Sequence, residues 1–569
     1  MADLFSAPSP LTYKDLVNQQ RAQYHTLLAE GKIEPLVYPF ALLPALLPVA
    51  YLLFPWYKYP RLRFLRYPIF GFIVFISIWM SRTCRSPSKG IDYGIGFVAC
   101  FSVYKSAIVI LFDNPQEEYV RIWRCRPITP SSEEVDNRDT RASQSSPMPN
   151  GTSQRKQKKL VNAEIGHTIS RRKNIQNTNI SREKTGSLDI EEHGSRTAES
   201  QIHLYLQGYP GESFKQRLDW VVGVFASLRG VGWNWCIDGL PPPPIAVQQE
   251  LHERYGTPLY PGDPTIGPSG NRRYNDRQEL LRSRILAVTL FYFALDGLKV
   301  WLMKDPYFWG FVDSPAPSFL PTIFHQSATL LRVYRMLISM AGIYSALSML
   351  FSAGTLFYVG LLGPKLINVA GEPWIYPDDF GSFTMIFDKG LAGFWGGWWH
   401  QLFRFTFSSP SKWILQRWNI DRKSNAGKSI QLFIAFGMSG ALHGSGSYGQ
   451  LPATNPITGP FLFFFLQSFG IIGEMAVQEQ LRKMRAGQQV PQILRRIGNI
   501  IWVFIWFYYT SPLLTEDFSR GGIWLFEPVP ISPLRGLGFG LASEGWLCYD
   551  LPLGTWHRGS RWWLSGIAL

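Results

Sequence analysis

Two stretches put ionisable side chains where apolar sequence offers them few partners. ALHGSGSY, residues 441–448, closes the run SIQLFIAFGMSGALHGSGSY and carries His443. FWGGWWHQLFRFTF, residues 394–407, carries His400 and Arg404 behind Trp395, Trp398 and Trp399. A helix entering a bilayer near Ser429 brings His443 about 21 Å along its axis, beyond the bilayer's middle. An ionisable group at that depth is by default a functional candidate; the structural alternative is a histidine hydrogen-bonded to a neighbouring helix. Gly437, Gly440 and Gly444 recur at three- and four-residue spacing. Small residues so spaced let another helix approach closely, or leave open volume beside the imidazole. In the second stretch an interfacial aromatic belt accounts for the tryptophans. It does not account for His400 and Arg404, which a helix places on one face, four residues apart. The glycines Gly396 and Gly397 predict a bend where the chain re-enters the membrane edge.

The elements that must hold these residues are membrane spans. Mean hydropathy over the 569 residues is ordinary, −0.03, but the average mixes nearly apolar windows with one almost wholly polar window. Aromatic residues make up 15% of the chain, with 21 Trp and 39 Phe, and the apolar runs match the length a helix needs to cross a bilayer. Spans are predicted at 36–55, 67–81, 93–112, 285–303, 336–363, 429–448, 459–476 and 497–514, with a weaker ninth at 534–551 that carries Glu544. The fold class is all-α, a polytopic helical membrane bundle of about eight or nine spans with a re-entrant or interfacial aromatic segment.

Along the chain, residues 1–35 form an amphipathic segment, helical from a capping box at Thr12 and Asp15. It lies on the membrane surface or packs on the bundle. The first spans occupy 36–112. Residues 113–200 form a polar loop, too poor in apolar side chains over 127–200 to order itself. An ordered cytosolic or interfacial segment covers 201–284, where LRGVGWNWCIDGLPPPP (228–244) reads as a rigid, non-helical aromatic element. The membrane core is 285–551, and 552–569 is a tail. Lys and Arg concentrate in 56–66, 113–284, 364–428 and 477–496, which places these loops in the cytosol by the positive-inside rule. Asp296 and Lys299, one turn apart inside a span, are expected to neutralise each other; Glu474 is expected to reach water at its span's end. The five cysteines are scattered, so they predict neither a metal site nor a disulfide framework. The net charge of +15 fits cytosolic loops, an anionic cofactor or lipid headgroups.

FWGGWWHQ followed some forty residues later by SGALH resembles the membrane-bound O-acyltransferase superfamily. With LRGVGWNW and its proline run, it is similar to the wax-synthase-like fungal branch, which includes acetyltransferases of terpenoid and other secondary metabolism. The likeness spans roughly residues 201–550. It implies that His443 is the superfamily's catalytic histidine and that His400 ends the first motif, framed by Phe394, Trp395, Trp398 and Trp399. Two departures matter. Gly397 and Trp398 stand where many relatives carry a basic pair, which leaves Arg404 as the candidate contact for coenzyme A. Gly444 stands where relatives often carry an acidic or polar residue, so no orienting carboxylate follows the histidine.

On this footing the expected reaction is transfer of an acyl group, foremost acetyl, from acyl-CoA to a hydroxyl of a lipophilic acceptor. Burial disfavours a charged imidazole, so His443 is available to take the hydroxyl proton, help worth about 100- to 10,000-fold. His400 or a Trp indole nitrogen would donate to the developing oxyanion. No Cys or Ser shows a paired base, so transfer is expected to be direct. The expected partners are acyl-CoA, the acceptor alcohol and the bilayer, without nucleic acid, metal or bound cofactor, and the expected location is the endoplasmic reticulum. Alternatives are a long-chain wax-ester or sterol acyltransferase, acylation of a protein residue, a catalytically dead scaffold, or a transporter whose pathway His443, Asp296 and Glu474 would line.

Overall fold

A computed structural model describes residues 11–125, 203–211, 213–451, 453–484, 490–549 and 554–568. The expected disorder over 127–200 lies outside the described residues.

The first helix, α1 (Tyr13–Ala29), begins with the predicted capping box. Thr12 accepts from the Asp15 amide, and Asp15 accepts from the Thr12 amide at 2.9 Å. Tyr13 and Tyr24 are buried, and the Tyr13 hydroxyl bonds Glu544. The helix therefore packs on protein.

Among the described residues, six helical stretches are long and apolar enough to cross a membrane: Pro60–Thr83, Lys89–Phe112, Arg277–Leu302, Ala328–Gly371, Ile457–Lys483 and Gln492–Arg520. Each overlaps a predicted span. They contain α3 (Arg66–Thr83), α4 (Lys89–Ala107), α6 (Arg277–Leu302), α7 (Ala328–Thr355), α11 (Leu462–Lys483) and α12 (Gln492–Arg520). Large apolar side chains on them face outward; Phe75 is 63% and Leu290 59% exposed, surface that only lipid would cover at low cost. The protein is a multi-pass, all-α membrane protein.

Two predicted spans do not form. The run at 36–55 yields a shorter apolar helical stretch, Phe40–Leu53, which contains α2 (Leu43–Leu53) with Pro48 inside it; at about 21 Å it is too short to cross. The 534–551 region has one four-residue helix, Pro533–Gly536. Glu544 holds the following turn instead, bonding the Leu541 amide at 2.6 Å and pairing with Arg535 at 3.2 Å. The other expected helix is present: α10 (Asn425–Tyr448) has 24 residues, capped by Ser424, whose Oγ accepts from the Gly427 amide at 3.0 Å.

Helix α10 packs against α4, α11 and α9 (Arg404–Arg417), and its glycines set how closely. A Cβ on Gly440 would stand 2.7 Å from the Phe461 carbonyl oxygen, and one on Gly444 2.9 Å from that of Pro456. From the partner's side, a Cβ on Gly96 of α4 would meet the Ser445 carbonyl oxygen at 1.9 Å. Gly440 and Gly444 thus serve helix approach, the first of the two expected roles; neither opens volume.

The buried charges are arranged differently from the expectation. Asp296 and Lys299 do not pair. Asp296 accepts from Ser532 Oγ and from the Leu534 amide at 3.0 Å. Lys299 donates to the carbonyls of Trp524 (2.9 Å) and Phe526 (3.1 Å) and lies 3.8 Å from Glu527. Both therefore pin the chain after α12 onto α6, because that backbone offers free amides and carbonyls and the neighbouring helix turn does not. Asp305 and Arg335 form a fully buried bidentate pair at 3.0 and 3.1 Å. Removing one partner of such a pair costs about 3–5 kcal/mol.

Candidate active site

The first motif hangs on a broken helix. Helix α8 (Thr384–Gly393) packs between α11 and α12 and kinks at Gly390, whose φ of 58° suits glycine. A π-turn, Phe394–Trp398, follows, and the chain then leaves helical geometry at Trp399. The kink frees backbone amides, and Glu474 takes one: its carboxylate accepts from Ala392 at 3.0 Å and fills the place a Cβ on Gly390 would need. Glu474 is 7% exposed and does not reach water, contrary to expectation; the unpaired amides at the kink hold it inside. The sharp bend falls at Gly390, not at Gly396 and Gly397. His400 and Arg404 share no helical face, because the chain between them is non-helical and Arg404 opens α9.

The tryptophans are mostly occupied with protein. Trp395 donates its indole N–H to Gln467 Oε1 at 3.1 Å, as does Trp506, also at 3.1 Å. Gln467 is fully buried, and it fixes two indoles at once. Trp395 is therefore spent as a donor. Trp398 stacks on Tyr344 with centroids 5.7 Å apart, and Trp399 on Phe394 at 5.8 Å.

The glycine-tryptophan loop after residue 228 explains the remaining wall. Arg229 donates to the carbonyls of Pro377 and Asp378, both at 2.8 Å, and pairs with Asp379 at 3.2 Å. The Gly381 amide donates to the Trp398 carbonyl at 2.8 Å. This fixes Phe380 beside the site, 5.5 Å from Trp399 and 6.0 Å from His400 between ring centroids.

The two histidines are brought to one place. His443 stacks on Phe464 at 4.3 Å and meets the edge of Phe97 at 5.3 Å. Phe97 packs on Phe403 at 5.9 Å, and Phe403 on His400 at 5.9 Å. On the opposite side His400 meets Phe351 at 5.6 Å. His443 Nδ1 is hydrogen-bonded to the Tyr93 hydroxyl at 2.8 Å. The Tyr93 ring lies where a Cβ on Gly446 would be, 2.6 Å from its Cζ, so Gly446 exists for the tyrosine that holds the histidine. Among the described residues, His400 Nδ1 is buried without a hydrogen-bond partner. Among the described residues neither Nε2 has a hydrogen-bond partner, and both histidines are only partly buried.

Such a site presents two imidazoles inside an aromatic wall that includes Trp398 and Trp399. It is suited to accept a proton from one bound group and donate a hydrogen bond to another. Arg404 stands at its edge, with long contacts to the Gly396 carbonyl (3.4 Å) and Gln401 Oε1 (3.3 Å). Burial lowers its guanidinium below the ordinary value, and Asp238 acts in the opposite sense.

Residues 376–466, which include both histidine motifs and the segment between them, match the membrane bound O-acyl transferase family. Over that segment the chain is similar to that family. Among curated proteins, this O-acyltransferase is 26% identical to acetyltransferase eriL of Hericium erinaceus over 61% of its own length and 76% of the relative's. It is 30% identical to acetyltransferase ataH of Aspergillus terreus over 28% of its length and 52% of the relative's. With O-Mevalon transferase macI of Penicillium terrestre it shares 22% identity over 46% of its length and 53% of the relative's. No solved structure matches.

Three residues that shape the candidate site were not singled out from the sequence. Tyr93 and Gln467 each carried a signal, a polar group inside an apolar run. Arg229 lay in the quoted LRGVGWNW stretch, where the tryptophans drew attention from it.

Proposed function

We propose that this enzyme transfers an acetyl group from acetyl-CoA to a hydroxyl of a lipophilic acceptor of the terpenoid or secondary-metabolite kind, with His443 as general base. The observation that carries the reading is the pairing of His443, held at Nδ1 and unpartnered at Nε2, with a second histidine across one aromatic pair. In the competent tautomer Nδ1–H donates to the Tyr93 oxygen, which leaves the Nε2 lone pair for the acceptor's hydroxyl proton. The alkoxide oxygen bonds to the thioester carbonyl carbon. The tetrahedral intermediate then collapses, the carbon–sulfur bond breaks, and the proton on Nε2 passes to the departing thiolate, giving ester and free coenzyme A. His400 donates from Nε2 to the oxyanion; that tautomer buries a lone pair at Nδ1 and not an orphaned N–H, the rarer and costlier outcome. Arg404 contributes to binding the donor.

The acetyl donor is favoured because several relatives are named acetyltransferases. A longer acyl group is the second reading, favoured by the relative named O-Mevalon transferase. The test is a microsomal assay of the expressed chain with labelled acetyl-CoA and longer acyl-CoAs against hydroxylated lipids and terpenoids. Labelled ester is the expected product. Solute uptake by proteoliposomes without coenzyme A, and no ester, would show a transporter instead.

Tyr93 is a positioning residue in this scheme. Tyr93→Phe keeps the ring against Gly446 and removes only the hydroxyl. A net hydrogen bond is worth about 1 kcal/mol, so kcat should fall about 5- to 10-fold while KM for either substrate holds. A rise in KM at unchanged kcat would assign Tyr93 to packing alone.

A further inference from the structure

Lys105 occupies the last turn of α4 and is 3% exposed. Its ammonium stands among three aromatic rings, 5.1 Å from the centroid of Trp235, 5.6 Å from Phe405 and 6.0 Å from Phe225. Among the described residues it donates no hydrogen bond and forms no ion pair. Asp113 attracts it through space without forming an ion pair, and the Asp113 carboxylate is itself held by the Tyr119 hydroxyl at 2.5 Å. Withdrawing an ammonium from water costs several kcal/mol, and cation–π contacts return about 0.5–2 kcal/mol. Rings and a carboxylate out of contact do not offset that cost in full; an anion in contact would.

Lys105 is not the only cation here. Lys412, on α9, lies 5.8 Å from the same Phe405 centroid and likewise has no hydrogen bond or ion pair among the described residues. Burial is the main influence lowering its ammonium below the ordinary value; the like charge of Arg422 adds to this, and Asp238 and Asp113 oppose it. Arg404 begins the same helix, one residue before Phe405. One phosphate-bearing ligand at Phe405 can meet all three.

The distance to the histidines favours one such ligand. Twelve residues of α4 separate Tyr93, which holds His443, from Lys105, about 18 Å of helix. That is the reach of an extended pantetheine arm. Between them Phe97 and Phe101 both pack on Phe403, at 5.9 and 5.1 Å, and Tyr104 meets Phe407 at 6.4 Å. An aromatic row thus runs from the imidazoles to the ammonium.

We propose that Lys105, with Lys412 and Arg404, binds the phosphates of the acyl-CoA donor, with its thioester end at His443. The proposal rests on the acyl-CoA reading and adds a residue that sequence alone presents as one more charge at a span's end.

The test compares acetyl-CoA with S-acetyl-N-acetylcysteamine, a thioester without phosphates. Lys105→Met keeps the stem and removes the charge. The ratio of kcat/KM for acetyl-CoA to that for the short thioester should fall about 10- to 100-fold, the worth of a charged hydrogen bond. Lys105→Arg should restore most of it. An equal loss on both donors, or none, would overturn the proposal, as would a defect that appears only when phosphatidic acid vesicles replace neutral ones, which would mark a lipid headgroup site. Binding of free coenzyme A to the detergent-purified protein judges the site separately from turnover. If the unaltered enzyme binds coenzyme A in a Lys105-dependent way but acetylates nothing, the acceptor reading fails and the site stands.

Discussion

His443→Ala removes ester formation, lowering kcat about 100- to 10,000-fold while the protein stays in the membrane. The expectation follows from what the side chain touches. Phe464 and Phe97 pack on its faces, and only the Tyr93 hydroxyl bonds it. Helix α10 is held elsewhere, by its Ser424 cap and by the glycine contacts with α4 and the chain before α11. Losing the ring leaves a void and an unpartnered tyrosine, costs of the order of 1–3 kcal/mol each, which a bundle of this size should tolerate. The check is rate with saturating acetyl-CoA and acceptor, alongside membrane yield and coenzyme A binding by the same preparation. Activity equal to the unaltered enzyme would remove His443 from the mechanism. Loss of coenzyme A binding in step with rate would mean that the substitution acted through the fold. His443→Gln sharpens the result: it fills much of the space and still hydrogen-bonds Tyr93, but has no basic nitrogen, so it should be as inactive as the alanine variant.

Much of this site was legible from residue type and spacing. A histidine in an apolar run must have a partner or a task, and His443 has a tyrosine on one nitrogen and no partner at the other. The positions of the main spans also came through, because length and apolar content decide them, but not their ends: the helices from Arg277 and Ala328 begin well before the predicted starts at 285 and 336. What failed did so for local reasons. Proline cut the first apolar run short, and Glu544 found an arginine, a tyrosine and a backbone amide that made a turn more favourable than a span. Asp296 and Lys299 looked like a pair because helical spacing allowed it; backbone from a distant segment offered each a better bond. The glycines around His443 are the clearest case. Their spacing was equally consistent with an opening and with close packing, and only the position of Phe461, Pro456 and Tyr93 decides for packing. Contacts between residues 350 apart, such as Tyr93 with His443, leave no periodic trace in one sequence.

His400→Ala should lower kcat about 100- to 1,000-fold with KM for acetyl-CoA little changed, the effect of removing one oxyanion donor. The chemistry depends on a donor placed where negative charge develops, so the loss belongs to the transition state and not to substrate binding. His400 meets this description because its ring is held by Phe351, Phe380 and Phe403 without a hydrogen bond at Nδ1. Aromatic contacts fix the plane and leave Nε2 free. His400→Asn provides the discriminating comparison. An asparagine amide supplies an N–H in a smaller frame, so this variant should keep more kcat than the alanine one. If both variants lose rate equally and KM rises with it, His400 serves to wall the site and the oxyanion falls to Trp398 or Trp399. If both keep full rate, the second histidine has no part in the reaction. An intermediate result, with the asparagine variant partly active and KM constant, would fix the donor at this position: no change in packing alone separates a side chain that carries an N–H from one that does not while leaving substrate affinity in place.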